Sequence, residues 1–121
     1  MQILNVARGG TLVQDLPDGG HWMCEHTVSI TPGTLLAEAA GTDELRHCYS
    51  VHHQGLDRLG DGIEPIATDP SGLIEAVQLR GASWIVGVQW HPEDTTSVEP
   101  AQLGIFDTFV ERAREHRLAR V

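Results

Sequence analysis

The sequence predicts an α/β fold, because strand-like and helical patterns are mixed along one short chain. Its 121 residues allow a single domain. Residues 63 to 90 contain three apolar runs of strand length, and residues 98 to 119 place apolar side chains at helical spacing. With 40% apolar and 21% charged residues, the composition favours a buried core over a disordered chain.

The first third of the chain predicts a helix, a loop, a strand and a second helix. Residues 2 to 7 are interpreted as the last turns of a helix that ends at Gly9, since glycine is favoured just after a helix. Residues 11 to 24 are rich in turn-forming residues and predict a loop. The β-branched residues within 26 to 30 indicate a short strand, and residues 34 to 40 indicate a short helix.

The remaining two thirds predict four strands and a long helix. Residues 44 to 51 favour a strand. Three further runs are separated by hairpin-type turns: IEPIATD (63 to 69), LIEAVQL (73 to 79) and WIVGVQW (84 to 90). The last run is almost continuously apolar, which is typical of a strand covered on both faces. On the helix over 98 to 119, the apolar residues that share one face are Leu103, Phe106, Val110 and Ala113.

Charge and composition exclude several classes of protein. Seventeen acidic and eight basic residues give a net charge of −9, and an acidic surface repels phosphate backbones, so we expect no nucleic-acid partner. No run reaches the ~18 apolar residues that span a bilayer, and the N-terminus lacks a signal-peptide pattern. We therefore expect no membrane partner and a cytoplasmic protein. Two cysteines, Cys24 and Cys48, are too few for a disulfide framework.

The strongest chemical signal is the run GVQWHPE at residues 87 to 93. In an extended chain, residues two apart share a face, so His91 and Glu93 are predicted to point the same way. Pro92 keeps its neighbour extended and ends the strand. A carboxylate that accepts from one imidazole N–H leaves the other nitrogen free as a general base. Such a pair still requires a nucleophile to activate.

A second candidate cluster is the run SVHHQ at residues 50 to 54. Adjacent histidines in a strand point to opposite faces, so only one of His52 and His53 can enter a site. The alternative is that one ring is solvated while the other is hydrogen-bonded in a loop.

A zinc site is a further alternative, because nitrogen and sulfur ligands suit Zn²⁺. The residues that could converge are His21, Cys24, His26, His47, Cys48, His52 and His53. Their spacing matches no common zinc module, so we predict neither a metal site nor any other cofactor.

Three segments together resemble a known family. They are NVARGGTLVQDL (5 to 16), SVHHQ (50 to 54) and GVQWHPE (87 to 93), in that order. The combination is similar to the gamma-glutamyl-gamma-aminobutyrate hydrolase family of the class I glutamine amidotransferase-like superfamily. The resemblance implies that residues 1 to 121 form the C-terminal half of a flavodoxin-like class I glutamine amidotransferase domain, a partial sheet with flanking helices.

The resemblance also implies a Cys-His-Glu triad that hydrolyses a small-molecule gamma-glutamyl amide through a thioester. By the match, His91 is the base and Glu93 orients it. The residues that match the substrate side are Ser50, His52 and Gln54. The family's nucleophile sits in a G-x-C-R-G turn that would precede Met1. On this interpretation the single partial domain lacks the N-terminal half and the nucleophile elbow, and is inactive alone.

Neither cysteine of the chain is expected to replace that nucleophile, because neither lies in a G-x-C-x-G context. Cys24 is predicted to lie in a loop and Cys48 in a strand, where a free cysteine is usually a small core residue. Tyr49 departs from the asparagine usual in the family. The alternative function is a non-catalytic fragment or pseudo-enzyme that binds glutamate-like ligands. Loss of a central strand would also expose apolar surface and allow self-association.

Overall fold

Seven strands and three helices make up the computed structural model, which describes residues 1 to 17 and 20 to 120. The strands are β1 (Leu12–Val13), β2 (His21–Ile30), β3 (Glu44–His52), β4 (Gly55–Leu56), β5 (Ile63–Thr68), β6 (Ile74–Leu79) and β7 (Val86–Val88). The main sheet has the order β3-β2-β5-β6-β7, while β1 and β4 form a separate pair. All pairings between these strands are antiparallel.

The helices are α1 (Gln2–Ala7), α2 (Leu35–Ala40) and α3 (Pro100–Ala119). One turn of 3₁₀ helix, Pro92–Asp94, lies between β7 and α3. Thr34 Oγ1 accepts the backbone N–H of Ala37 and caps α2. These elements confirm the α/β class. Within the described residues, no helix combines the length and the apolar character needed to cross a membrane.

The core lies between the main sheet and the pair of helices α2 and α3. Its buried members are Val28, Ile30, Leu36, Ala40, Leu45, Cys48, Ile66, Ala67, Ala76, Trp90 and Ile105. A smaller cluster of Leu56, Ile63 and Val77 is covered by Met1 and Leu4, so α1 packs on the other side of the sheet. Burying this apolar surface supplies the main favourable free energy of folding.

The predicted loop over residues 11 to 24 is wrong at both ends. β1 lies in it, and β2 begins at His21, which pairs with His52 at the far end of β3. Long-range ladder hydrogen bonds therefore override the local turn propensity. Asp18 and Gly19, two of the turn-forming residues of that stretch, lie outside the described residues.

The strand predicted over residues 84 to 90 is reduced to Val86–Val88 and is only half-buried. β7 is the last strand of the sheet and pairs with β6 alone among the described residues, so one edge and part of its surface stay uncovered. The apolar run is therefore not the signature of a strand covered on both faces. Val86 and Val88 are partly buried against the core, and the buried residue of this stretch is Trp90, which lies beyond the strand.

The apolar face predicted for α3 is also not the face that packs. Leu103, Phe106 and Val110 are exposed, whereas the buried residues of α3 are Gln102 and Ile105. Self-association through apolar surface exposed by the loss of a central strand is a separate expectation and stays a prediction. The packing face is set by close approach to α2, because a Cβ on Gly104 would lie 2.6 Å from the backbone oxygen of Ala39.

The fully buried amide of Gln102 joins α3 to the rest of the molecule. Trp90 Nε1 donates to Gln102 Oε1 at 3.1 Å. Gln102 Nε2 donates to His47 O at 3.2 Å and to Glu99 Oε1 at 3.0 Å. One side chain thus connects the helix, β3 and the segment that follows β7.

Glu99 accepts hydrogen bonds from two backbone N–H groups of β3 at a point where β3 is not paired with β2. The register shifts between Val28–Leu45 and His26–Cys48, which leaves Arg46 and His47 without a paired residue. The Glu99 carboxylate accepts their backbone N–H groups at 2.8 and 3.1 Å. Burial raises the pKa of this carboxyl, but the hydrogen bonds from Arg46, His47 and Gln102 outweigh it and hold the pKa below its ordinary value.

Replacing Gln102 by leucine is expected to lower the free energy of unfolding by about 2 to 4 kcal/mol, because the buried Trp90 N–H and His47 carbonyl lose their partner. Urea denaturation measures the effect. Glu111→Gln, on the exposed part of α3, is the matched control and should change stability by less than about 0.5 kcal/mol. Equal stability of the Gln102→Leu variant and the unaltered protein would contradict this role.

The Glu99 contribution is expected to depend on pH. Because the folded-state pKa is lowered, the stabilisation is present above the unfolded pKa of about 4.3 and is lost as the pH falls through the folded value. The stability difference between the unaltered protein and Glu99→Gln should therefore shrink between about pH 6 and about pH 3. Urea denaturation at both pH values tests this, and a constant difference refutes it.

Gly104→Ala is expected to destabilise the fold, although alanine is the better helix former by ~1 kcal/mol. The added methyl group would overlap the backbone oxygen of Ala39, so α2 and α3 must separate at a cost of about 1 to 3 kcal/mol. Asp107→Ala, exposed on the same helix, is the control. A variant at Gly104 that unfolds at higher urea than the unaltered protein would show that the helices are not in close contact.

Candidate active site

His91 and Glu93 form a hydrogen-bonded pair on the turn after β7. His91 Nδ1 lies 2.8 Å from Glu93 Oε1. The side chains are 47% and 56% exposed, so the pair is accessible from solvent. Because the carboxylate can only accept, Nδ1 carries the proton and Nε2 is left for a reacting group.

The two side chains lie together for a different reason from the one the sequence indicated. The strand ends at Val88, and Pro92–Asp94 form a 3₁₀ turn directly after His91. The pairing is therefore made by the turn rather than by the alternation of an extended strand. Pro92 occupies the first position of this turn, where a missing N–H costs nothing.

Backbone and core contacts hold the segment that carries His91. The His91 N–H donates to Tyr49 O of β3 at 2.8 Å, and the Gln89 N–H donates to Glu75 O of β6 at 2.8 Å. Trp90 lies between Gln89 and His91 in the chain, is buried, and donates a hydrogen bond to Gln102. The segment that carries His91 is thus held by hydrogen bonds to two strands and a helix.

Of the residues matched to the substrate side, two line one cleft and the third does not. His52 and Gln54 line an open cleft of about 430 Å³ that also includes Trp22 and Gln89. Ser50 is fully buried, and its Oγ lies 2.7 Å from His26 Nε2. His91 and Glu93 do not line this cleft, although Gln89 lies only two residues before His91.

The two cysteines differ in environment. Cys48 is fully buried in the core, and burial raises the pKa of its thiol to about 12, which disfavours the reactive thiolate. Cys24 is half-buried and lies within β2 rather than in the loop predicted for it. The zinc set drawn from histidines and cysteines does not form: among the described residues, neither potential ligand group contains a cysteine.

Sequence reasoning missed a buried polar cluster beside His52. His21 Nε2 lies 2.9 Å from Asp69 Oδ2, and His21 Nδ1 lies 3.1 Å from Glu75 Oε1. His52 Nε2 lies 3.7 Å from the same Glu75 oxygen. The available signal was Glu75 itself, a single charge within the otherwise apolar start of the LIEAVQL strand.

The pKa values of His52 and Asp69 are shifted in one direction by burial and in the other direction by neighbouring groups. Burial lowers the pKa of His52, but the Glu75 carboxylate, the Gln54 carbonyl and the charge of Asp69 outweigh it, so the pKa is raised. Burial raises the pKa of Asp69, but hydrogen bonds from Ser71 and Leu73 and the charge of His21 leave it lowered.

Comparison with known proteins places the chain in a family. The family model of peptidase C26 matches residues 1 to 93. Rv2859c of Mycobacterium tuberculosis, whose name assigns it provisionally to the glutamine amidotransferases, is 40% identical over 93% of this chain and 37% of its own length. Gamma-glutamyl-gamma-aminobutyrate hydrolase PuuD of Escherichia coli K12 is 28% identical over 96% of this chain and 52% of its own.

A solved structure shows the same fold. A Thermoplasma acidophilum protein, described provisionally as one of the subunits of GMP synthase, superposes with a TM-score of 0.79 over 98% of this chain and 56% of its own, at 16% identity. The chain spans about half or less of the length of the two relatives above. Because the family model covers residues 1 to 93 of 121, the chain belongs to the peptidase C26 family.

Proposed function

We propose that this chain supplies the histidine and the carboxylate of a cysteine-dependent hydrolase that acts on gamma-glutamyl amides. The observation that carries the proposal is the 2.8 Å contact between His91 Nδ1 and Glu93 Oε1 on an exposed turn. The three segments that resemble gamma-glutamyl-gamma-aminobutyrate hydrolases support the substrate class, and the 28% identity to PuuD agrees with it.

The chemistry follows from the free nitrogen of His91. Nε2 removes the proton of a nearby thiol, and the thiolate attacks the carbonyl carbon of the gamma-glutamyl amide. The C–N bond breaks, the amine leaves with the proton held by His91, and a thioester remains. Water, deprotonated by the same nitrogen, then attacks the thioester and releases glutamate and the free thiol. Glu93 stabilises the imidazolium that forms in each half-reaction.

The thiol is proposed to come from polypeptide outside these 121 residues. The buried Cys48, with its pKa of about 12, is a poor nucleophile at neutral pH. Cys24 lies within a strand, whereas the family's nucleophile sits at a tight turn between a strand and a helix. Histidine and carboxylate can activate a thiol but cannot replace it, so the 121 residues by themselves should be inactive.

The cleft lined by His52 and Gln54 is the proposed place for the substrate, a small-molecule gamma-glutamyl amide. The Gln54 side chain donates to Gln14 Oε1 at 2.9 Å, which fixes its amide at the rim. Ser50 is buried and would act only by holding His26 between β2 and β3. The acidic chain gives no reason to propose a nucleic-acid substrate. We place the reaction in the cytoplasm.

In the full protein, His91→Ala is expected to lower kcat for gamma-glutamyl amide hydrolysis by about 100- to 10,000-fold, since the general base is lost. Glu93→Gln should also lower kcat, because an amide does not stabilise the imidazolium. Steady-state release of glutamate measures both effects. His116→Ala, an exposed histidine near the end of α3, is the matched control and should leave kcat unchanged.

Full activity of His91→Ala would refute the catalytic role. The alternative, a non-catalytic protein that binds glutamate-like ligands, is favoured by the unsuitable positions of both cysteines. An electrophilic gamma-glutamyl analogue separates the two functions by mass spectrometry. The hydrolase forms a covalent adduct on a cysteine of the full protein, and the adduct forms more slowly in His91→Ala. The binding protein holds the analogue without an adduct.

A further inference from the structure

We propose that His21, His52 and Glu75 form a site for a divalent transition-metal ion of the zinc type. Their ligand atoms lie within 4.8 Å of one another. Glu75 Oε1 is 3.1 Å from His21 Nδ1 and 3.7 Å from His52 Nε2. A tetrahedral zinc ion with bonds of 2.0 to 2.2 Å holds its ligands about 3.3 to 3.6 Å apart, so the spacing fits with small adjustments.

The three residues converge from different strands. His21 is the first residue of β2, His52 the last of β3, and Glu75 belongs to β6. Met23, with φ of 50°, forms a bulge in β2 that shifts the register with β3. Because one extra residue reverses the alternation of faces, His21 rather than the exposed Trp22 points to the interior.

The outer nitrogen of each ring has an acceptor beside it, so each ring can place its proton there and offer its inner nitrogen to a metal ion. His21 Nε2 lies 2.9 Å from the Asp69 carboxylate, and His52 Nδ1 lies 2.8 Å from the Gln54 carbonyl. Both partners can only accept, so in the metal-bound form these outer nitrogens carry the protons and the inner nitrogens bind the ion. Metal-binding histidines characteristically donate their second N–H to a carboxylate or a backbone carbonyl in this way.

The inner atoms are left without hydrogen bonds. His21 Nδ1, His52 Nε2 and both Glu75 oxygens are buried, and none has a hydrogen-bond partner among the described residues. When both rings are neutral and protonated on their outer nitrogens, the inner lone pairs face a carboxylate that is 0% exposed and repel it, so a positive charge between them, either a proton or a metal ion, is favoured. A divalent cation between them removes the repulsion and compensates the buried charge.

The site has an entry path and is separate from the proposed catalytic pair. His52 also lines the cleft that contains Gln54 and Gln89, so an ion can enter from that side. Three protein ligands leave a fourth position for water or a ligand oxygen. A second group of possible ligands consists of His91, Glu93 and Asp94. All three are exposed, and none has a buried atom without a hydrogen-bond partner, so we do not propose a metal site there.

The test is metal binding by the full protein after treatment with a chelator. Titration with Co²⁺ should give the visible absorption of a four- or five-coordinate ion at one equivalent per chain, and Zn²⁺ should displace it. Zn²⁺ should also raise the midpoint of thermal unfolding. Glu75→Gln, which keeps the shape of the side chain, should weaken Zn²⁺ binding by at least about 100-fold.

Two further variants are measured for metal binding, one at a second ligand and one as a control. His21→Gln removes a half-buried ligand and should give the same loss, which covers the case in which Glu75→Gln does not fold. Glu93→Gln is the control and should still bind one ion, since it alters only the exposed group. The proposal is overturned if the protein binds no Co²⁺ or Zn²⁺ at millimolar concentration, if His21→Gln binds as tightly as the unaltered protein, or if only Glu93→Gln loses the ion.

Discussion

The hydrogen bond from Trp90 Nε1 to Gln102 Oε1 is the contact on which the candidate active site depends. Leaving the buried indole N–H without an acceptor costs about 1 to 3 kcal/mol, so Gln102 stabilises the buried position of Trp90. His91 is the next residue, and its position is therefore set by α3. The same amide also donates to Glu99 and to β3, so one buried polar group connects the helix, the sheet and the segment that carries His91.

Two groups of histidines and carboxylates use opposite environments. The pair of His91 and Glu93 is half-exposed, so water can reach it and the imidazole can exchange protons. The cluster of His21, His52 and Glu75 lies mostly out of water, where an uncompensated charge is costly. The first arrangement suits proton transfer, and the second suits the fixed geometry of a bound cation or of a structural ion network.

Several parts of the fold follow from local sequence, and others do not. The antiparallel pair β5 and β6 and the long helix α3 were predicted within two residues of their ends, because turn signals and apolar spacing are local properties. The second half of β2, residues 26 to 30, was predicted, but residues 21 to 25 were missed, since they are held by pairing with β3 rather than by their own propensity. The packing face of α3 was wrong because the approach of Gly104 to Ala39 selects it.

The candidate site, like the fold, is predicted by local sequence only in part. The spacing of His91 and Glu93 predicted that the two side chains lie together, although a 3₁₀ turn achieves this instead of a strand. The partnership of His21 with Glu75 could not be predicted, because it depends on a bulge at Met23 and on strands far apart in sequence. Contacts that require a specific register across the sheet are not contained in local patterns.

We expect Glu93 to keep the proton on Nδ1 of His91 and to leave Nε2 unprotonated, as the proposed reaction requires. Nitrogen-15 NMR of the imidazole at a pH where the ring is neutral measures this directly, since the protonated and unprotonated ring nitrogens resonate far apart. We expect the Nδ1–H tautomer for His91 in the unaltered protein and a shift toward the other tautomer in Glu93→Gln. A neutral His91 with its proton on Nε2 in the unaltered protein would contradict the account.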